Sequence, residues 1–344
     1  MTRPKPLHSL LLLLLLLGLA ACGGQTTPEP AATEGQPPAG DMALRLAIIL
    51  PGVITDADYN TLGYVAGQAV MEDMGVEMAY SESVAVPDVE RVMREYISDG
   101  YNVIFSHGGQ FISQTQTLAA EFPDVYFIAE SDAPIEGAPP NFWLIDRNFH
   151  VGFYALGALA AKQTQTGKVG YLGGLTLPFS FAEVHAMEQA IADLGADVEL
   201  QPVWAGDFND PTRARELADA LIAEDVDVIV GSLNLGMLGI FEAVKAAEKP
   251  VWVTAKYTDK AEFAPDQYIT SLIYDYEGPL KEILAAIQAG ESGGYYPLGF
   301  DTGVALQFPL NHVSNEVNTE VQAITDQLIA GDIEVVKNAE PIEE

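Results

Sequence analysis

The chain has one cysteine, Cys22, so no intrachain disulfide can form. It has five histidines, His8, His107, His150, His185 and His312, scattered rather than grouped at metal-ligand spacing. No nucleophile elbow is present. The string Gly170-Tyr171-Leu172-Gly173-Gly174 has leucine where a dinucleotide fingerprint needs its second glycine, so it reads as a strand end and a turn. Basic residues are few: 16 Lys and Arg stand against 49 Asp and Glu, a formal net charge of -33. That balance disfavours a nucleic-acid partner, because no basic patch is available for phosphates. It suits solubility in salty or cation-rich surroundings. Paired nucleophile and base motifs are also missing, so nothing in the pattern calls for an enzyme, a metal or a cofactor.

The one long apolar run, Leu10 to Leu19, is too short for a good membrane span, which needs roughly 20 residues. Arg3 and Lys5 precede it and Leu19-Ala20-Ala21-Cys22 closes it. This is a secretory signal over residues 1–21. Its ending resembles a bacterial lipobox, which implies acylation of Cys22 and a membrane contact made through that lipid. Residues 22–43 then read as a tether, rich in Pro, Gly, Thr, Glu and Gln and too polar to offset the entropy of ordering. The expected location is the outer face of the cytoplasmic membrane, or the periplasm.

The remaining body exceeds the size at which a single core keeps growing, so two domains are expected. Leu44 to Asn60, LRLAIILPGVITDADYN, sets the pattern of strand, loop and helix. Strands are expected at 44–50, 76–84, 102–106, 125–129 and 142–145, with helices at 59–74, 87–98 and 111–121. The second half repeats the alternation. Helices fall at 150–162, 179–194, 211–223, 236–247, 277–289 and 315–330. Strands fall at 168–172, 198–204, 226–230, 251–254, 268–273, 296–300 and 304–308. Such alternation predicts βαβ units and mostly parallel sheets. We expect one lobe from 44–146 plus about 276–300, and another from about 147–275 plus 301–336. Crossings near Asp146, Asp275 and Asp301 make a hinge, and residues 337–344 an acidic, solvated tail.

Ligands bind where loops leave the carboxyl ends of parallel strands. The loop ends here carry Asp56, Tyr59 and Asn60; His107, Gln110 and Phe111; Phe179; Tyr257 and Asp259; and Tyr274. Converging, they form an aromatic-lined cleft with scattered carboxylates and amides, suited to a flat polar solute held by stacking and hydrogen bonds. Plainer alternatives stand beside these: Asp56 as a turn residue, the adjacent Asp58 as a helix cap, Tyr59 as packing at the helix start, Asn60 as a solvated first-turn amide, and His107 as a histidine that fixes its loop.

The strings AIILPGVITDADYNTLGYVAGQ, EFPDVYFIAES, FYALGALAAKQTQTGKVGYLGG, GDFNDPTRARELADALIAEDVDVIVGS and APDQYITSLIYD occur in order over most of the body. In these the chain resembles the basic membrane protein family of ABC-transporter substrate-binding lipoproteins, relatives of bacterial purine-nucleoside receptors. The resemblance implies a type I periplasmic-binding-protein fold: two doubly wound parallel-sheet lobes joined by a multi-crossing hinge. It implies solute capture, delivery to a membrane permease with separate ATPase subunits, and no catalysis. The family's Asp-x-x-Trp/Phe-Asn falls on Asp56, Tyr59 and Asn60, with Asn60 the leading contact. Gly109 to Ser113 lacks the family's acid, Asp259 alone remains of a Gly-Val-Asp-x-Asp-Gln pattern, and Tyr274 replaces a lysine. Loss of the ribose-directed acid suits a free purine base or another flat heterocycle. A solute-sensing receptor for a membrane signalling partner, and an extracytoplasmic enzyme, remain the alternatives.

Overall fold

A computed structural model describes residues 43–342. The signal segment, Cys22 and the tether lie outside the described residues. The first sheet is built from β1 (Arg45–Ile49), β2 (Glu77–Ser81), β3 (Val103–Ser106), β4 (Tyr126–Ser131) and β5 (Phe142–Arg147), with helices α1 (Tyr59–Met74), α2 (Val89–Ser98) and α3 (Ile112–Glu121) between them. The chain then forms α4 (Phe149–Gln163), β6 (Lys168–Gly173), α5 (Pro178–Asp193), β7 (Glu199–Trp204), α6 (Pro211–Ala223), β8 (Val228–Ser232), α7 (Met237–Ala246), β9 (Trp252–Tyr257) and β10 (Tyr268–Tyr274). It closes with α8 (Glu277–Gln288), β11 (Gly294–Leu298), β12 (Val304–Leu306) and α9 (Asn315–Ala330).

Two six-stranded sheets result, ordered β11-β5-β4-β3-β1-β2 and β12-β10-β9-β8-β6-β7. Every pairing in the first is parallel. In the second only β12 runs antiparallel, against β10. The chain leaves the first sheet after β5, returns after β10 to add α8 and β11, and goes back for β12 and α9. Helix α8 packs on α1 and α9 on α4. The alternation predicts these βαβ units and mostly parallel sheets, and the arrangement is the type I periplasmic-binding-protein architecture that the resemblance implies.

Most boundaries fall within a few residues of the expected ones. The differences are local. Pro87 lies inside a 3-10 turn, Val86–Asp88, before α2 begins, and a second 3-10 turn, Gly109–Phe111, precedes α3. Strand β2 is five residues, shorter than the expected 76–84. Asp210 caps α6 as expected, accepting from the Arg213 amide at 3.0 Å, with Pro211 in the first turn.

Helix α4 is buried on nearly every face, as a helix apolar all round must be. Gly157 lets it meet α5, since a Cβ there would lie 2.6 Å from Met187 Cα. We expect Gly157→Val to overpack this contact and cost about 1–3 kcal/mol, read as a lower urea midpoint. An unchanged midpoint would mean that the two helices separate freely. The C-terminal stretch is held to the body. Gln189 on α5 bonds the Glu334 carbonyl and Val336 amide, His185 the Glu340 carbonyl, and Lys337 reaches Asp146 at 2.6 Å. The solvated tail expected over 337–344 is therefore tethered at least through Glu340.

Candidate functional site

The loop after β1 is organised by Asp56. Its carboxylate accepts from the amides of Asp58, Asn60 and Thr61, the Thr61 hydroxyl and Asn60 Nδ2. It sits at the N-terminus of α1, where unpaired amides and the helix dipole favour an anion. Asn60 Oδ1 accepts from the Gly52 amide at 2.9 Å. Asp56 and Asn60 thus fasten the loop to the helix. Asp58 stands at the capping position without making a side-chain cap, which leaves its carboxylate free for another partner.

Tyr59 follows and its ring stacks on His107 at 3.9 Å. Its hydroxyl donates to Glu130 Oε2 at 2.5 Å. Glu130 is next to last in β4 and is 0 % exposed, so its charge needs partners. His107 Nδ1 lies 2.5 Å from Oε1, a close contact without the alignment of a hydrogen bond, and His107 Nε2 faces the Tyr59 carbonyl at 2.7 Å. Arg147, at the end of β5, stands 3.7 Å from Glu130 and 2.9 Å from Asp132. Burial pushes the Glu130 carboxyl up, but His107, Arg147 and the Tyr59 hydroxyl outweigh it and hold the group below its ordinary value. Burial opposes the Arg147 charge too, and Asp132, Tyr59 and Glu130 more than reverse this.

The second sheet supplies the facing wall. Glu183 on α5 is 0 % exposed and accepts from Tyr171 and Ser232 hydroxyls, each at 2.7 Å, and from Lys256 Nζ at 3.1 Å. Lys256, on β9 and also 0 % exposed, has its ammonium 4.7–5.6 Å from the ring centres of Tyr257, Phe149, Phe179 and Phe153. Aromatic faces attract a desolvated cation. Burial nonetheless pulls the Lys256 pKa down against the pull of Glu183. Phe179 stacks on Phe208, and Gly174 makes the room: a Cβ there would lie 2.2 Å from the Phe208 ring.

Besides Arg147, which lies over the Phe149 and Phe179 rings, three contacts join the walls. Lys260 Nζ meets Asp58 Oδ1 at 2.5 Å, both buried; Thr258 donates to the Ala57 carbonyl at 3.1 Å; and the Tyr59 and Tyr257 rings lie 5.7 Å apart. Tyr257 holds φ at +78°, a conformation rare for a bulky side chain and found where surrounding contacts impose it. Burial pushes the Asp58 carboxyl up to about 7, against the Lys260 ammonium and with help from Asp56. The folded form thus holds this proton more tightly than the unfolded chain. The stabilisation is complete below the ordinary carboxylate value and is lost as pH rises through about 7. His150 acts oppositely, its pKa lowered by burial and Lys337 to about 4, so its contribution is lost as pH falls. Asp58→Asn is therefore expected to remove a pH-dependent component between about pH 4 and 7, at most one proton or about 1.4 kcal/mol per pH unit. Denaturant midpoints of variant and parent against pH check this; parallel curves would show that Asp58 does not titrate in that window.

Of the residues singled out from sequence, Tyr59, His107, Phe179, Tyr257 and Tyr274 come together. Tyr274 lies 4.9 Å from Phe149 and 5.3 Å from Tyr257. Asp56 and Asn60 lie beneath them as loop anchors. Three others are elsewhere. Gln110 is exposed, Phe111 packs in the core with Ile49, Ile104 and Leu118, and Asp259 is exposed, accepting from the Ala261 amide and Gln307. Sequence reasoning missed Glu130, Arg147, Phe149, Glu183, Lys256 and Tyr276. Glu130, Arg147 and Lys256 are charges set in otherwise apolar strands, a signal that was present in the sequence.

Two open concavities lie away from this cleft. One, ≈ 480 Å³, is lined by Pro87, Glu90, Arg91, Arg94, Glu95 and Ser98; the other, ≈ 320 Å³, runs from Val244 to Trp252 with Asp266 and Gln267. In the first, the charged side chains are exposed and pair with one another across the surface. Neither concavity holds a buried charge, and the cleft holds several, so the chemistry is assigned to the cleft. No group of three metal-ligating side chains occurs among the described residues.

A family model described as "ABC transporter substrate-binding protein PnrA-like" matches residues 43–339. A "putative ABC transporter glucose-binding protein" of Haloferax volcanii is 26% identical over 91% of this chain and 79% of its own length. A "purine-binding protein" of Brucella abortus is 25% identical over 69% of this chain and 66% of its own. Among solved structures, an ABC transporter solute-binding protein from Aeropyrum pernix superposes with a TM-score of 0.75 at 18% identity, covering 86% of this chain and 94% of its own.

Proposed function

From the premise that this chain belongs to the PnrA-like family of ABC transporter substrate-binding proteins, we propose that it captures a purine base, purine nucleoside or similarly flat polar solute between its lobes. It then hands the solute to a permease driven by separate ATPase subunits. The observation that carries the reading is the cleft itself. Aromatic rings from three helices and the second sheet, Tyr59, Phe149, Phe179, Tyr257 and Tyr274, pack around buried charges of both signs. Rings stack on a flat solute, and the few polar groups orient it. Capture needs no covalent step, and the proposal includes none.

The protein works outside the cytoplasm in this reading, with Cys22 acylated and residues 22–43 as the tether. A hexose is the second candidate solute, favoured by the name of the Haloferax relative and by the capacity of carboxylates to accept from sugar hydroxyls.

Native mass spectrometry of protein purified without its lipid identifies any copurifying solute. Calorimetric titration with adenosine, guanosine, inosine, adenine and glucose follows. Binding of a purine in this panel is the expected result. A well-folded sample that binds glucose and no purine replaces the first reading with the second. Binding of neither, with no copurifying ring compound, removes both.

A further inference from the structure

The cleft presents more hydrogens than its own oxygens take up. Lys256 carries three N–H donors and no acceptor. Glu183 alone accepts from it among the described residues, and the remainder of the ammonium faces aromatic rings. Arg147 Nε is buried without a hydrogen-bond partner among the described residues, as are the hydroxyls of Tyr274 and Tyr276. These groups lie together. Tyr274 packs on Phe149, the Arg147 guanidinium is 5.3 Å from the same ring, and Tyr276 is edge-on to His107 and Tyr59.

Each carboxylate of the cluster already has a partner, although Glu130 Oε1 and Asp132 Oδ1 lie against His107 and Arg147 without an aligned hydrogen bond. Glu183 serves Tyr171, Ser232 and Lys256; Glu130 serves Tyr59 and lies against His107; Asp132 holds Arg147; Asp58 holds Lys260. A phenol hydroxyl can accept as well as donate, but Lys256 and Arg147 can only donate, and they decide the balance. A buried donor left unpaired is costly, so binding favours a solute that supplies the missing acceptors.

Resting on the reading of this cleft as the solute site, we infer that its occupant is a ring compound presenting carbonyl or carboxylate oxygens to Lys256, Arg147, Tyr274 and Tyr276. Among purines this selects the oxopurines over the aminopurines. The ring is held by Tyr59, Phe179 and Tyr257, and its oxygen edge by the four donors.

The test compares pairs that share a ring and differ at one substituent. Calorimetry measures hypoxanthine against adenine, inosine against adenosine, and glucuronate against glucose. The oxo or carboxylate member is expected to bind about tenfold tighter or more, in line with sites built to hydrogen-bond one group. Tyr274→Phe removes one hydroxyl without changing the ring and is expected to narrow that preference several-fold. Lys256→Met is expected to narrow it further, and Tyr274→Phe stands alone as the test if Lys256→Met does not fold. Adenine and adenosine binding as tightly as their oxo partners overturns the inference and leaves the purine reading intact. A preference for glucuronate with no purine bound supports the inference and removes the purine reading. No binding by any member overturns both.

Discussion

Glu183→Ala is expected to lower the unfolding free energy by about 3–5 kcal/mol, the cost of leaving one member of a buried ion pair alone. Lys256 would keep its ammonium in an aromatic surround, with Arg147 as an additional like charge, and would lose its one hydrogen-bonded carboxylate. Tyr171 and Ser232 would lose their acceptor as well. Adding Lys256→Met to Glu183→Leu removes both charges and keeps comparable volume, and replacement of a buried pair by apolar side chains is often neutral or stabilising. The double variant should therefore recover most of the stability that Glu183→Ala loses. Urea unfolding of both variants gives the answer. A loss below about 1 kcal/mol for Glu183→Ala would show that water or rearrangement relieves the charge. The double variant should nonetheless lose solute, since both groups belong to the cleft.

Glu130→Gln is the second large effect. The carboxylate lies against His107 and Arg147 at the centre of the first wall and accepts the Tyr59 hydroxyl. Its amide counterpart keeps the shape and loses the charge, leaving the buried Arg147 guanidinium with Asp132 as its one carboxylate, a loss of about 1–3 kcal/mol. The pH dependence is specific. Because the folded carboxyl is held below its ordinary value, its stabilisation is present above about pH 4.5 and is lost as pH falls through the lowered folded value. Parent protein should lose stability through this group on acidification below pH 4.5, and Glu130→Gln should show a flatter acid limb. The Asp58 contribution has the opposite sign and a higher window, so the two variants separate in a single pH series. An acid limb unchanged by Glu130→Gln would contradict the placement of a charged Glu130 among these partners.

The alternation of apolar runs and amphipathic stretches, with Asp210-Pro211 and the loop after Leu50, was enough to read both sheets and most helices. These signals are local: side-chain period, caps and turn residues. The site was legible only in part, because its polar groups are paired across distant segments. Glu130 looked like one more acid in a chain of net charge -33, yet it is completed by Tyr59, His107 and Arg147. Lys256 and Glu183 lie far apart in the chain and meet only when α5 packs beside β9. Asp58 reads as a helix cap, and its pairing with Lys260 depends on how the two lobes come together. Phe111 carried a loop-end address but turned into the core, because the 3-10 turn Gly109–Phe111 rotates it inward. Gln110 was left exposed by the same turn. Asp56 shows the reverse: a family-pattern residue at the right loop whose oxygens are consumed in fastening that loop.

In the proposed function the solute sits between the two lobes, with Tyr59 and Glu130 on one side and Glu183, Lys256 and Tyr257 on the other. A structure of the protein with its solute, obtained by crystallography of the copurified or titrated complex, tests this most directly. The expected result is a flat ring stacked against Tyr59 or Tyr257, with an oxygen edge within hydrogen-bond distance of Lys256 or Arg147. A solute seated instead in the concavity along α2, with the Tyr59–Tyr257 contact and the Asp58–Lys260 pair unchanged, would contradict it.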